Sequence, residues 1–107
     1  YYVTYCNTIF QKNQYFVVYY MKKEEISTNY GIAISKKVGN AVIRNKLKRQ
    51  TRAIMDNNRN LFQNNYNYII MIRKSCVDVS FHNLNTALIK LLEKIKVIMW
   101  RKEQKYL

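Results

Sequence analysis

Residues 35–52 read SKKVGNAVIRNKLKRQTR and hold seven of the chain's nineteen lysine and arginine residues, with apolar residues threaded between them. At about 100° per residue, Ile43, Leu47, Ile54 and Leu61 fall within about 40° of one another, a narrow apolar stripe at helical spacing. A core-facing helix is therefore predicted, with Asn40 as a suitable N-cap and the asparagine-rich residues 57–65 ending the pattern. Arg44, Lys48, Arg52 and Arg59 gather within roughly 80°, nearly opposite the stripe, and Lys46 and Arg49 widen the arc. No carboxylate occurs between Asn29 and Met55. Arg44, Lys46, Lys48 and Arg49 thus have no i,i+4 acid to pair with, and the i,i+4 repulsions among the cations cost a few tenths of a kcal/mol each. A phosphate backbone reverses that sign, because each cation that neutralises a phosphate releases counterions.

Working outward, YFVVYYM at Tyr15–Met21 is short and rich in β-branched and aromatic residues, the composition of a strand. After the polar connection KKEEISTN, YGIAISK at Tyr30–Lys36 reads as a second strand, most simply hairpin-paired with the first. Thr8–Asn13 adds a candidate short edge strand. Downstream, YNYIIMI at Tyr66–Ile72 has a nearly continuous apolar end, the pattern of a central strand covered on both faces. Ser80 then stands as N-cap before Phe81, Leu84, Leu88, Leu91, Ile95 and Met99, which space out a second amphipathic helix. The basic helix becomes a crossover between two parallel strands, and the class is α+β.

Length and composition narrow the function. With 107 residues, 49% of them hydrophobic and 14% aromatic, the chain suits one folded domain, residues 1–107. A net charge of +13 calls for a polyanionic partner, with nucleic acid favoured over an anionic membrane surface. No apolar run approaches the roughly 18 residues a spanning helix needs, and no signal-peptide pattern is present, so a cytoplasmic location is expected. Cys6 and Cys76 stand apart without a CxxC and are read as reduced thiols. His82, the only histidine, has no catalytic companion. The six acids Glu24, Glu25, Asp56, Asp78, Glu93 and Glu103 form no metal-binding arrangement, which disfavours a protein nuclease.

Three further features suit a nucleic acid. Gly39 and Asn40 place backbone amides at a helix N-terminus, beside Lys36 and Lys37, as a phosphate cradle. Arg44 and Asn45 together offer a guanidinium fork and an amide, suited to phosphate and base edges. Ten tyrosines and four phenylalanines exceed what a small core requires. Tyr1 and Tyr5 share an i,i+4 spacing and Tyr19 points opposite to Tyr20, so some rings are available to stack on unpaired bases at about 1–3 kcal/mol each.

The string KKVGNAVIRNKLKRQTR closely resembles the motif of the bacterial ribonuclease P protein component, Lys-Lys-x-Gly-Asn-Ala-Val-x-Arg-Asn-Arg/Lys-x-Lys-Arg-x-x-Arg. GIAISKK, YFVVY, YIIMIRK and the serine-capped leucine helix follow in the family's order, so the resemblance covers nearly the whole chain. It implies a two-layer α/β sandwich of order α-β-β-β-α-β-α, ribosomal protein S5 domain 2-like, with a left-handed βαβ crossover where the general rule would give a right-handed one. It implies that an RNA subunit performs catalysis with bound Mg2+, while the protein binds the 5′ leader of precursor tRNA and supports the RNA's active conformation.

On the matching positions, Lys36, Lys37, Asn40, Arg44, Lys46 and Arg49 are implied to face the catalytic RNA. Asn45, Lys48 and Arg52, with Tyr19 on the sheet, are implied to border the path of the leader. Tyr1 and Tyr5 match an aromatic pair at the end of the family's first helix. Lys46 stands where the family more often has arginine, which keeps the charge and loses the planar fork. The chain begins at Tyr1 without the family's usual basic tail and is read as lacking it. The alternative is a structural RNA-binding protein of ribosomal type with no role in cleavage. Oligomeric state is left open.

Overall fold

The strand at Tyr66–Ile72 organises the sheet in the computed structural model, which describes residues 8–104. The elements run β1 (Thr8–Lys12), β2 (Phe16–Lys22), β3 (Thr28–Ile34), α1 (Ala41–Asn57), β4 (Tyr66–Ile72) and α2 (Phe81–Gln104), with 3-10 turns at Lys36–Val38, Arg59–Leu61 and Lys74–Cys76. The sheet order is β1-β2-β4-β3. β4 is central, as expected, antiparallel to β2 and parallel to β3, and α1 is the crossover between the parallel pair. The observed β-β-β-α-β-α order is that of the implied fold without its first helix, whose place falls in residues 1–7, outside the described residues.

The hairpin between the second and third strands does not form, because β4 inserts between them. Residues 23–27 instead cross the start of β4, where Lys23 N donates to Asn65 O at 2.8 Å and Asn65 N to Ser27 O at 3.1 Å. Asn65 takes φ 61°, a left-handed conformation that asparagine adopts more readily than most residues. The polar connection thus serves as a clasp, a role its composition does not distinguish from that of a hairpin loop. The edge strand β1 is present and pairs with β2.

Both helices lie on one face of the sheet. Phe16, Val18 and Tyr20 of β2 and Tyr68, Ile70 and Ile72 of β4 share a single core with Leu47, Ile54 and Met55 of α1 and Leu84, Leu88, Leu91, Leu92, Ile95 and Met99 of α2. Burying each large side chain contributes about 1.5–3 kcal/mol before entropy is charged against it. β4 is not covered on both faces: its alternate residues Ile69 and Met71 are each 38% exposed. A two-layer sandwich buries one face of each strand, so alternation here outweighs the apolar run that suggested otherwise.

Three sequence expectations about the helices shift in the same way. α1 ends at Asn57, so Leu61 and Arg59 belong to a separate 3-10 turn. Ile43 is only half-buried, and Thr51 and Met55 complete the buried stripe with Leu47 and Ile54. Phe81, at the first turn of α2, is 42% exposed because the core begins one turn later at Leu84. The caps stand where expected: Asn40 Oδ1 accepts from Ile43 N at 3.0 Å and Ser80 Oγ accepts from Asn83 N at 3.2 Å. No described helix is long and apolar enough to cross a membrane.

Candidate nucleic-acid interface

The buried stripe of α1 fixes where its cations go. Lys46, Lys48, Arg49 and Arg52 are exposed and Arg44 is half-buried. The flank carrying Ile43, Lys46 and Gln50 lines a small cavity with residues 76–79, the connection into α2. Arg44, Lys48 and Arg52 form an i,i+4,i+8 row on the other flank, turned away from α2 and toward the free edge of β3. Sequence spacing grouped these cations as one arc, and packing divides them into two flanks.

Among the described residues the one ion pair is Arg59–Asp56 at 3.9 Å, and Asp56 Oδ1 also accepts from the Tyr30 hydroxyl at 3.2 Å. None of Lys46, Lys48, Arg49 and Arg52 forms an ion pair, although Asp78 lines the same small cavity as Lys46. Arg44 Nε is shut off from solvent without a hydrogen-bond partner. Ahead of the helix, Lys36 and Lys37 stand on an exposed 3-10 turn held by Ser35, whose Oγ accepts from Lys37 N at 3.2 Å. The Asn40 cap occupies Ile43 N, which leaves the first amides of α1 directed outward beside these lysines.

The sheet's uncovered face is the second part of the site. Strand parity puts Phe10, Tyr19, Ile69 and Gly31 in one row across all four strands, since each is the pairing partner of the next. Tyr20 is 3% exposed in the core while Tyr19 lies half-buried on this open face, as the alternation implied. The Phe10 ring, 52% exposed, sits 5.7 Å from that of Tyr19. At Gly31 an added Cβ would meet nothing within 4 Å, so the sheet is low at its β3 edge, next to the Arg44–Lys48–Arg52 row. An aromatic shelf with a shallow trough and cations at its border suits an unpaired strand, whose bases stack and whose phosphates need neutralising.

Of the residues singled out in the sequence, Lys36, Lys37, Asn40, Arg44, Lys46 and Arg49 fall around the start and outer flank of α1. Asn45, Lys48 and Arg52 fall on or beside the β3-facing flank, and Tyr19 lies on the shelf. Tyr1 and Tyr5 lie outside the described residues. Phe10, Ile69 and Met71 are shelf residues that sequence reading passed over. The pairing of Phe10 with Tyr19 was the signal available, once Thr8–Asn13 is taken as a strand.

The titratable groups with shifted values belong to the core. Burial pushes the Cys76 thiol up to about 11, against a smaller opposing effect of Arg73, and its Sγ donates to Tyr15 O at 3.1 Å. Burial likewise raises the Tyr68 hydroxyl to about 12, while it accepts from Gln63 N at 2.8 Å. Neither is poised for chemistry near neutral pH.

The family model described as Ribonuclease P matches residues 3–96. The ribonuclease P protein component of Mycoplasma capricolum is 44% identical over 95 residues, covering 88% of this chain and 85% of its own. That of Streptococcus agalactiae is 36% identical, covering 76% of this chain and 73% of its own. The RNase P protein from Thermotoga maritima superposes with a TM-score of 0.77 at 28% identity, covering 87% of this chain and 88% of that one. A Staphylococcus aureus RNase P protein mutant with defective mRNA degradation activity gives 0.79 at 30% identity, with 89% and 80% covered. A basic helix whose one acid, Asp56, lies at its far end, an aromatic sheet face and these likenesses converge: the chain belongs to the bacterial ribonuclease P protein component family, the protein subunit of the endoribonuclease that processes tRNA 5′ ends.

Proposed function

We propose that the two flanks of α1 serve two RNAs. Lys46 and Arg49, with Lys36, Lys37, Asn40 and Arg44 at the helix start, hold the catalytic RNA. Asn45, Lys48 and Arg52 border the 5′ leader of precursor tRNA, which crosses the sheet with its bases against Tyr19 and Phe10; Tyr1 and Tyr5 are assigned to the leader by their match to the family alone. The observation that carries this reading is the cation row at the β3 edge beside an uncovered aromatic shelf. Arg44 shares that row, so its guanidinium stands where both RNAs meet.

Among the described residues no three His, Cys, Asp or Glu side chains come together to hold a metal ion. In this reading Mg2+ is held by the RNA, and the chain supplies cations that let RNA strands approach at lower Mg2+ concentration. The reaction belongs to the cytoplasm. The test is cleavage of precursor tRNA by a bacterial-type catalytic RNA at low Mg2+, with and without the protein. Stimulated cleavage and tighter binding of leader-bearing substrate are expected, and RNA binding with neither effect would defeat the proposal.

A further inference from the structure

A second basic surface lies away from α1. An open groove of about 540 Å³ separates the β1–β2 turn from the outer face of α2, and Lys12, Lys90, Lys94, Asn13, Asn83 and Thr86 are among its lining residues. All three lysines are exposed, and no carboxylate lines the groove. The nearest acid in sequence, Glu93, lines a different hollow on another flank of α2, with Trp100 and Leu61. Lys90 and Lys94 stand one turn apart, about 6 Å along the axis, on the row that also presents Asn83 and Thr86.

The groove is held in shape. Asn13 Nδ2 donates to Ala87 O of α2 at 3.1 Å, while its Oδ1 accepts from Tyr15 N at 2.9 Å and Phe16 N at 2.8 Å. From the other side, Arg73 Nη1 donates to Asn13 O at 2.9 Å. The turn is therefore fixed to both α2 and the end of β4 before any ligand arrives, which limits the ordering cost of binding.

The groove also continues the first surface. Lys12 ends β1, Arg73 and Lys74 follow β4, and Lys36 and Lys37 follow β3, all at the same end of the sheet. Three strand spacings, about 14 Å, span that end. Its cations link the start of α1 to the groove, with Asp78, in the connection from β4 to α2, as the acid placed nearest to them.

We infer that the Lys12–Lys90–Lys94 groove is a second RNA-binding site, which takes the phosphodiester backbone of structured RNA. Lysine ammonium groups, amides and a hydroxyl match phosphate and ribose oxygens, whereas the shelf used for unpaired bases lies on the opposite face of the sheet. The inference rests on the proposed RNA-subunit function and adds a contact surface outside the α1 motif.

The test is the triple variant Lys12→Gln, Lys90→Gln, Lys94→Gln. Its control is Lys22→Gln, Lys96→Gln, Lys102→Gln, which removes the same charge elsewhere. Affinity is measured against salt for the catalytic RNA alone, and for precursor tRNA on the reconstituted holoenzyme. The groove variant should bind at least tenfold more weakly at moderate salt, with its log–log salt slope reduced by between about two and three, and the control should change far less. A loss with the catalytic RNA places its backbone in the groove, and a loss only with precursor tRNA places the substrate there. Wild-type affinity and slope in both arms, or equal losses in variant and control, would overturn the inference while leaving the α1 reading intact. A wild-type protein that neither binds nor stimulates the catalytic RNA would defeat both.

Discussion

Asn40 is the residue at which fold and function can be separated by measurements of opposite sign. Its backbone is extended, with φ −73° and ψ 176°, and its Oδ1 caps α1 through Ile43 N, while no acid occupies the first turn. Asn40→Ala removes the cap and should cost about 1 kcal/mol, within the usual range of about 0.5–2. For a domain near 100 residues that lowers Tm by about 4–8 °C. Asn40→Asp keeps the acceptor and adds a charge at the positive end of an uncompensated dipole, a gain of about 0.3–1 kcal/mol. In the proposed interface the same charge faces phosphates gripped by Lys36 and Lys37. At about 5 Å, repulsion lies between about 0.8 kcal/mol in bulk water and about 3.3 kcal/mol at a surface-like effective dielectric of 20. The midrange, about 2 kcal/mol, predicts roughly thirtyfold weaker binding of the catalytic RNA. Thermal melting and filter binding at low salt together read both effects. A more stable Asn40→Asp protein that binds RNA as well as wild type would show that the start of α1 is not at the RNA surface.

Lys48→Ala and Arg52→Ala should each weaken leader-bearing precursor more than mature tRNA on the holoenzyme, because they sit on the row beside the shelf; equal losses on both substrates would remove their leader role. Thr51 is 1% exposed with an unpartnered hydroxyl, so Thr51→Val should raise stability by about 1 kcal/mol, seen as a higher urea midpoint at unchanged m. A lower midpoint would mean that the hydroxyl is satisfied in solution. Cys76 is protonated in the folded state up to about pH 11, above its ordinary value of 9.0. The unfolded chain therefore releases that proton first as pH rises past about 9, so stability should begin to fall there and continue falling toward 11. Cys76→Ser should flatten the decline between about pH 9 and 10, before Tyr68 adds its own; an unchanged profile would rule out burial of the thiol as its cause.

How much of this was legible in the residues depended on whether neighbours in sequence were neighbours in space. The Leu47–Ile54 centre of the α1 stripe, the caps Asn40 and Ser80 and the alternation of Tyr19 with Tyr20 are local patterns, and each reads correctly from period and side-chain chemistry. The pairing of β2 with β4 is not local. A polar connection of the kind at residues 23–27 closes a hairpin or bridges a strand equally well, and only the arrival of β4 from beyond α1 decides which. The same non-locality hid the shelf: Phe10 matters because β1 pairs with β2, and Ile69 because one sheet face has no described helix over it. The division of the α1 cations into two flanks likewise came from residues 76–79, thirty positions downstream of Lys46.

The periodicities that bury the core also make the binding surfaces. Once Leu47, Thr51, Ile54 and Met55 face inward, helical geometry leaves Lys46 and Arg49 on one side and Arg44, Lys48 and Arg52 on the other. Once Tyr20 and Ile70 are in the core, the period of two forces Tyr19 and Ile69 onto the open face. A one-residue slip of β2 against β4 would bring Tyr19 into the core and put Tyr20 outside, losing shelf and core together. Side chains on the outer faces, by contrast, can change without disturbing packing. Charge on α1 is then limited chiefly by mutual repulsion of a few tenths of a kcal/mol per pair, a small opposition beside the several kcal/mol contributed by each pair of buried leucines on α2. The fold therefore tolerates a helix whose cations from Arg44 to Arg52 make no ion pair of their own and gain compensation when RNA is bound.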